Sequence, residues 1–392
     1  MQSNRIKVVE RVEKLPGEGA LEVLATASAM EAQGRDIIHL EIGEPDSPTP
    51  GHIVRAAVQA LESGQTGYTP APGIPELREA IAEDISQTRA IDVDPSQVVV
   101  TTGSKIIAFY TMLALLEPGD EVIYPNPGFP VYEAMIGFTG ATPVPIRLDE
   151  ASGFRMSLDD FRRKVSRRTK LIILNSPQNP TGAVLPRGDL EDIADIARHT
   201  GIYVLSDEIY NRIQYEGQFV SIAAIPGMEE RTIILDGFSK TYAMTGWRLG
   251  YGVMPEELVG HLTKLIINSN SCTCTFVQRA GVEALRGPQD AVDKMVESYR
   301  RRRDLIVNSL NAIPGMSCAR PSGAFYAFPN IRPFGKGSKE LADHLLLEAG
   351  VATLPGTAFG EWGEGYLRLS YANSDENIQR AVERIGATLG RL

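Results

Sequence analysis

"TIILDGFSKTYAMTGWRLGY", residues 232–251, joins an apolar run of strand length to a glycine, a Ser-Lys-Thr and an arginine eight residues past Lys240. A lysine is ordinarily a solvated surface charge, because an unpaired ammonium is costly to bury. Lys240, set at the end of an apolar strand, therefore asks for partners. Three other strand-length runs end on polar groups in the same way: "QVVVTTG" (97–103) leads into Ser104, "KLIILNSPQNPTG" (170–182) carries Asn179, and "IYVLSDEIY" (202–210) carries Asp207. Helix-length stretches lie between them, "SKIIAFYTMLALL" and "GDLEDIADIARHTG", the second closing on a glycine. "PGDEVIYPNPGF" adds a turn, a short strand and a Pro/Gly-rich loop. Strands separated by helices predict βαβ units, hence an α/β fold with a mostly parallel sheet sandwiched by helices. In such a sheet the ligand sits beyond the carboxyl ends of the strands. Ser104, Asn179, Asp207 and Lys240 are thus aimed at one crevice.

The texture changes near residue 287. A long charged helix, "DAVDKMVESYRRRRDLIVNSLNAI", precedes the strand-like pieces "GAFYAF" and "YLRLSYA" and a terminal helix. This predicts a large domain over 46–286 and a smaller α+β domain formed by 287–392 together with 1–45. A length of 392 residues supports two domains, and 43% hydrophobic with 22% charged residues is a globular balance. The net charge, 39 − 49 = −10, comes with scattered basic residues apart from Arg300 to Arg303, so no nucleic-acid partner is expected. That basic run reads as a solvated helix face. No apolar stretch is long enough to span a bilayer, and "MQSNRIKVVERVEK" has no signal-peptide core, so the expectation is a cytoplasmic protein without a membrane partner. Cys272, Cys274 and Cys318 are too few for a disulfide framework, and "CTC" lacks the spacing of a metal site. Buried free thiols and no metal are expected. There are no repeats and no low-complexity linkers.

Two nucleotide readings fail. "TTGSKIIAF" has one of the three glycines of G-x-G-x-x-G, and Lys240-Thr241 would end a P-loop only if Ile234 and Ser239 were glycines. A Gly103–Ser104 turn opening a helix still offers free N–H groups and a positive dipole end, equally suited to a phosphate or to a plain helix start.

The combination is more specific than its parts. A lysine at a strand end, an aspartate 33 residues earlier, an N-P-T-G turn before that and a G-W-R after it point to a cofactor. The chain resembles the pyridoxal-phosphate-dependent aminotransferases of class I/II and fold type I, the aspartate aminotransferase superfamily. The resemblance runs from "IIHLEIGEPDSPTP" through "GYTPAPGIPELREAIA", "NSPQNPTGAVLP", "SDEIY" and "SKTYAMTGWRLGY" to "LRLSYA". It implies pyridoxal 5′-phosphate as cofactor, amino acid and 2-oxo acid substrates, and a ping-pong transfer of the α-amino group.

Chemistry accounts for the residue types. The cofactor's aldehyde needs a primary amine on a flexible stem, a Schiff-base lysine that also shuttles a proton; the resemblance gives Lys240. A carboxylate must keep the ring nitrogen protonated, and Asp207 matches that position. Tyr210 and Asn179 match the groups that bond the ring oxygen, and Phe129 in "NPGFPVY" the aromatic stacked on the ring. Arg248 matches the phosphate-binding arginine, and Gly103, Ser104 and Lys105 match the phosphate-cradling helix start. Many members carry serine three residues before the lysine; here it is Gly237, and Ser239 is the remaining hydroxyl. Ile42 and Gly43 resemble the loop whose backbone approaches the substrate, whereas Asn175 reads as structural. Tyr68 resembles a tyrosine that reaches the neighbour's phosphate across a homodimer. Arg368, between Leu367 and Leu369, should face away from both and into the interdomain crevice; the resemblance makes it the α-carboxylate ligand. Ala20, Leu21 and Ala25 suggest a small or apolar side-chain pocket without a second arginine. Relatives on this fold also catalyse β-elimination, or serve as cofactor-binding regulators, and fold alone does not separate them.

Overall fold

The computed structural model describes residues 6–17 and 19–391. After β1 (Ile38–His39), the large sheet takes β2 (Val98–Thr101), β3 (Glu121–Asn126), β4 (Thr142–Asp149), β5 (Arg155–Met156), β6 (Thr169–Asn175), β7 (Tyr203–Asp207), β8 (Thr232–Gly237) and β9 (Gly250–Val253). Their spatial order is β2-β9-β8-β7-β6-β3-β4-β5. β4, β3, β6, β7 and β8 run parallel in sequence across the sheet, while β9 is antiparallel to both β8 and β2 and β5 is antiparallel to β4. The expected α/β class holds.

Alternation within the strands builds the layers. Ile233 and Leu235 of β8, with Leu171 and Ile173 of β6, pack into a cluster with Ile107 and Leu262 from the helices Lys105–Leu115 and Glu256–Ile267. Ile234 of β8, with Val98 and Val100, packs on the opposite face against Leu77 and Ala280 from the helices Pro75–Arg89 and Thr275–Arg286. Ile172, Leu174 and Val204 pack with Ile193 of the helix Arg187–Thr200. Burial on both faces is what near-continuous apolar strands require.

The C-terminal third forms a three-stranded antiparallel sheet in which β13 (Leu367–Ser370) lies between β10 (Tyr326–Ala327) and β12 (Leu354–Pro355). β11 (Val351–Ala352) pairs in parallel with β1, setting Ile38 opposite Val351. Ile38 and Leu40 join Leu367, Leu369, Tyr299 and Ile378 in one buried cluster.

Three expectations need correction. The run Arg300 to Arg303 is not a solvated face. It lies in the helix Asp290–Asn311, whose buried stripe takes in Met295, Tyr299, Arg303 and Ile306 at helical spacing. Arg303 is 2% exposed, lies 4.8 Å above the Tyr215 ring and pairs with Asp304 and Glu216. Of the free cysteines only Cys318 is buried, its thiol pushed up to about 12 by burial. Cys272 is half-buried, and Cys274, which immediately precedes the helix starting at Thr275 and makes no side-chain bond to it, is exposed. Finally, Leu21 and Ala25 face solvent: the helix Gly19–Glu31 turns Ala27 and Met30 inward, and a 3.6-residue period carries Leu21 and Ala25 to the other side. Among the described residues no helix is long and apolar enough to cross a membrane.

Candidate active site

A cavity of about 240 Å³ opens where β6, β7 and β8 end, and β13 closes it from the other sheet. Lys240, Asp207, Tyr210, Asn179, Ser239, Ser104, Lys105, Phe129, Arg248, Gly43 and Arg368 all line it. Gly103 stands just behind the wall. Tyr68 lies outside it, with 92% of its surface in solvent.

Lys240 follows β8 by three residues, and its Nζ donates to the Gly43 carbonyl at 2.5 Å. Burial lowers its pKa to about 8, helped by the Arg368, Arg248 and Lys105 cations and opposed by Glu44. An amine that loses its proton near neutrality can act as a nucleophile and a base.

Asp207 closes β7, so its backbone is held on both sides, opposite Asn175 of β6 and Leu235 of β8. Its Oδ2 accepts from the Tyr132 hydroxyl at 2.5 Å and its Oδ1 from the Ile209 N–H at 3.2 Å. Burial raises its pKa to about 6 despite these bonds. A cation set beside it would restore the ionised form. Asn175 donates to the carbonyls of Pro177 and Asp207 and accepts from the Asn179 N–H, so it holds the strand ends together as expected.

The opposite end is cationic. Arg248 adopts a left-handed φ of 53° and donates to the Thr245 carbonyl at 2.8 Å. Its guanidinium occupies the space of an absent side chain: a Cβ on Gly103, where φ is 88°, would lie 2.2 Å from Nη2. Any residue but glycine would displace the arginine. Ser104 starts the helix Lys105–Leu115 without capping it through its hydroxyl, and both Ser104 and Lys105 line the cavity, so the positive end of the helix lies at its wall. Phe129 stands between the ends, edge-on to Tyr132 at 5.6 Å and with the Lys105 Nζ 5.4 Å from its ring centre.

Arg368 obeys the alternation argument. Leu367 and Leu369 enter the buried cluster behind β13, while the guanidinium enters the cavity between the rings of Tyr326 and Phe359, at 4.5 and 5.0 Å. Its Nη1 donates to Asn179 Oδ1 at 3.2 Å and its Nη2 to the Glu41 carbonyl. Two aromatic residues of the wall, Tyr132 and Tyr326, are not marked by the sequence reading. Tyr132 follows Phe129 at helical spacing, a signal present in "NPGFPVY". Tyr326 bonds the Tyr210 hydroxyl at 2.6 Å and leaves Gly43 no room for a side chain, since a Cβ there would lie 2.2 Å from its hydroxyl. Nothing local in "GAFYAF" marks it.

The model of the family "Aminotransferase class I and II" matches residues 35–385. The chain belongs to this family. A probable aspartate/prephenate aminotransferase of Aquifex aeolicus is 41% identical, over 97% of this chain and 98% of its own. An aromatic-amino-acid aminotransferase of Thermococcus litoralis is 43% identical, over 91% and 93%. Among solved structures, the aspartate aminotransferase of Thermus thermophilus with maleate superposes with a TM-score of 0.94 at 39% identity, covering 98% of this chain and 100% of that one. The protein is thus an aminotransferase of fold type I, and the family implies pyridoxal phosphate. This aminotransferase's cavity fits such a group on its own chemistry: a buried carboxylate at one end, Arg248 and an open helix start at the other, and between them an amine with a lowered pKa.

Proposed function

We propose that this aminotransferase holds its cofactor through the residues above and acts on acidic and aromatic amino acids with a 2-oxo acid as acceptor. The observation that carries it is the placement of Lys240, Asp207 and Arg368 on three walls of one cavity. The bound cofactor supplies an aldehyde to receive the amino group and a ring to take up the electron pair left at the donor's Cα. Lys240 would be the amine that holds that aldehyde and, once free, would move the proton from Cα. Asp207 keeps a proton on the ring nitrogen, and Tyr132 fixes the carboxylate's direction. Tyr210 and Asn179 hold the ring oxygen. Arg248, Ser104, Ser239 and the backbone at Gly103 and Lys105 would hold the phosphate, and Phe129 would cover the ring. The Arg368 fork takes the α-carboxylate, exchanging its present acceptors for two parallel bonds, while Gly43 keeps the backbone close.

The acidic and aromatic donors follow the names of the relatives; Ala20 lines the cavity, and the Phe359 ring lies beside Arg368. We further propose a homodimer in which Tyr68 reaches the partner's phosphate. An exposed tyrosine with the exposed Val54, Val58 and Leu61 on one face of the helix Gly51–Glu62 supports a covered surface. The partition into 46–286 and 1–45 with 287–392 is proposed on the β1–β11 pairing. A cytoplasmic location is proposed on the three free thiols. Single-turnover loss of the cofactor's visible band with each of the twenty amino acids tests the donor class. Aspartate, glutamate and the aromatic acids should react fastest, with glutamate appearing when 2-oxoglutarate is added. Ammonia and a 2-oxo acid from cysteine conjugates, without glutamate, would overturn it in favour of β-elimination.

A further inference from the structure

Behind the site, on the other face of the same strand ends, sits a buried ionic cluster that the chemistry above does not use. Arg89, the last residue of the helix Pro75–Arg89, has a side chain 1% exposed. Its Nε donates to Glu208 Oε2 at 3.0 Å and its Nη2 to Asp236 Oδ2 at 2.5 Å. Glu208 Oε1 accepts from Ser206 and Ser221 at 2.9 and 2.5 Å. Asp236 Oδ2 accepts from Asn211 at 2.8 Å and from the Tyr251 hydroxyl at 3.2 Å, and its Oδ1 accepts from the Gly237 N–H at 2.6 Å. Asp84 stands 4.0 Å from the guanidinium.

The membership follows a pattern. Glu208 is the neighbour of Asp207, and Asn211 is the neighbour of Tyr210. Asp236 and Gly237 are the last residues of β8, four and three residues before Lys240, and Tyr251 lies three residues past Arg248. The segments that deliver Asp207, Tyr210, Lys240 and Arg248 to the cavity each also send a nearby side chain to the opposite face, and those side chains bond to Arg89 or to one another. Stability is a weak reason for such a cluster, since replacing buried ion pairs by neutral groups of similar shape is often harmless. Position is the stronger reason, because small displacements of reacting groups are costly in rate.

We propose that Arg89, Glu208 and Asp236 are positioning residues that fix the separation of Asp207 and Lys240. The proposal rests on the assignment of those two residues; it is read only on protein in which Lys240 has already been shown to carry the cofactor, so the two failures are distinguishable. Three variants test it. Arg89→Lys keeps the charge and cannot span both carboxylates. The triple exchange Arg89→Met, Glu208→Gln, Asp236→Asn removes all the charge at similar shape. Arg303→Lys makes the first exchange at a buried arginine with two carboxylate partners remote from the cavity, and serves as control. The readouts are kcat, KM for the amino donor, and the pH midpoint of the visible band of the cofactor-loaded protein. Arg89→Lys and the folded triple variant should each lose about tenfold in kcat or more with KM within about twofold, and their midpoints should move by about half a unit or more. Arg303→Lys should move neither. Native kcat and midpoint in Arg89→Lys would overturn the proposal, as would an equal change in Arg303→Lys. Should the triple variant fail to fold, Arg89→Lys decides alone.

Discussion

The two ends of the cavity are built on opposite principles. At the Asp207 end a single carboxylate is sunk among aromatic side chains, held by Tyr132 and the Ile209 N–H, and burial raises its pKa to about 6. At the Arg248 end the cation is exposed, the glycine beside it makes room, and a helix start faces the same space. The first end is tuned by exclusion of water and the second by open, permanent charge. On the roles proposed for them, burial suits a carboxylate that must respond to a proton on its partner, whereas an anchor for a dianion needs charge that no pH change removes. Lys240 lies between them, lowered to about 8 by burial and by the cations Arg368, Arg248 and Lys105.

Removing the amine should produce the largest effect. Lys240→Ala should lose at least about 10⁴-fold in turnover while retaining its fold by circular dichroism, because nucleophile and proton carrier vanish together. Asp207→Asn should come next. Its shape is kept but it cannot hold a proton on the ring nitrogen, so kcat should fall by about 10³-fold with cofactor still bound; near-native turnover would remove the distinction between the two ends. Arg368→Lys keeps the charge and loses the fork, and kcat/KM should drop by about 2–3 kcal/mol, equally for all amino acids accepted. Simple amines, which lack the carboxylate, should be spared; if they suffer equally, Arg368 is structural.

Tyr132→Phe should be the mildest, about tenfold or less in kcat/KM. Its hydroxyl lowers the Asp207 pKa, so its loss raises that pKa further, and the acid limb of the pH–rate profile should move to higher pH. An unmoved limb would show that Tyr132 has no hold on the carboxylate.

Much of this arrangement was legible because polar residues at the ends of apolar strands leave few places to go. Ser104, Asn179, Asp207 and Lys240 were found that way, and the alternation around Arg368 gave its direction. What stayed hidden depends on contacts remote in sequence. β9 reads "GYGV", and its two glycines mask a strand that pairs antiparallel on both sides. Tyr326 gains its place through a partner 116 residues away. Leu21 and Ala25 were misplaced because a helix whose apolar residues lie all round leaves its phase unset until one face is packed. The burial of Arg303 is hidden from charge alone, because the aromatic face of Tyr215 that covers it lies remote in sequence.

The central claim is that Lys240, among all the lysines, carries the cofactor. Borohydride reduction of the cofactor-loaded protein, followed by proteolysis and mass spectrometry, fixes the label on one peptide. The account predicts a single labelled peptide containing "GFSKTYAM", modified at Lys240 and absent from Lys240→Ala; a label on Lys105 or on any other lysine would contradict it.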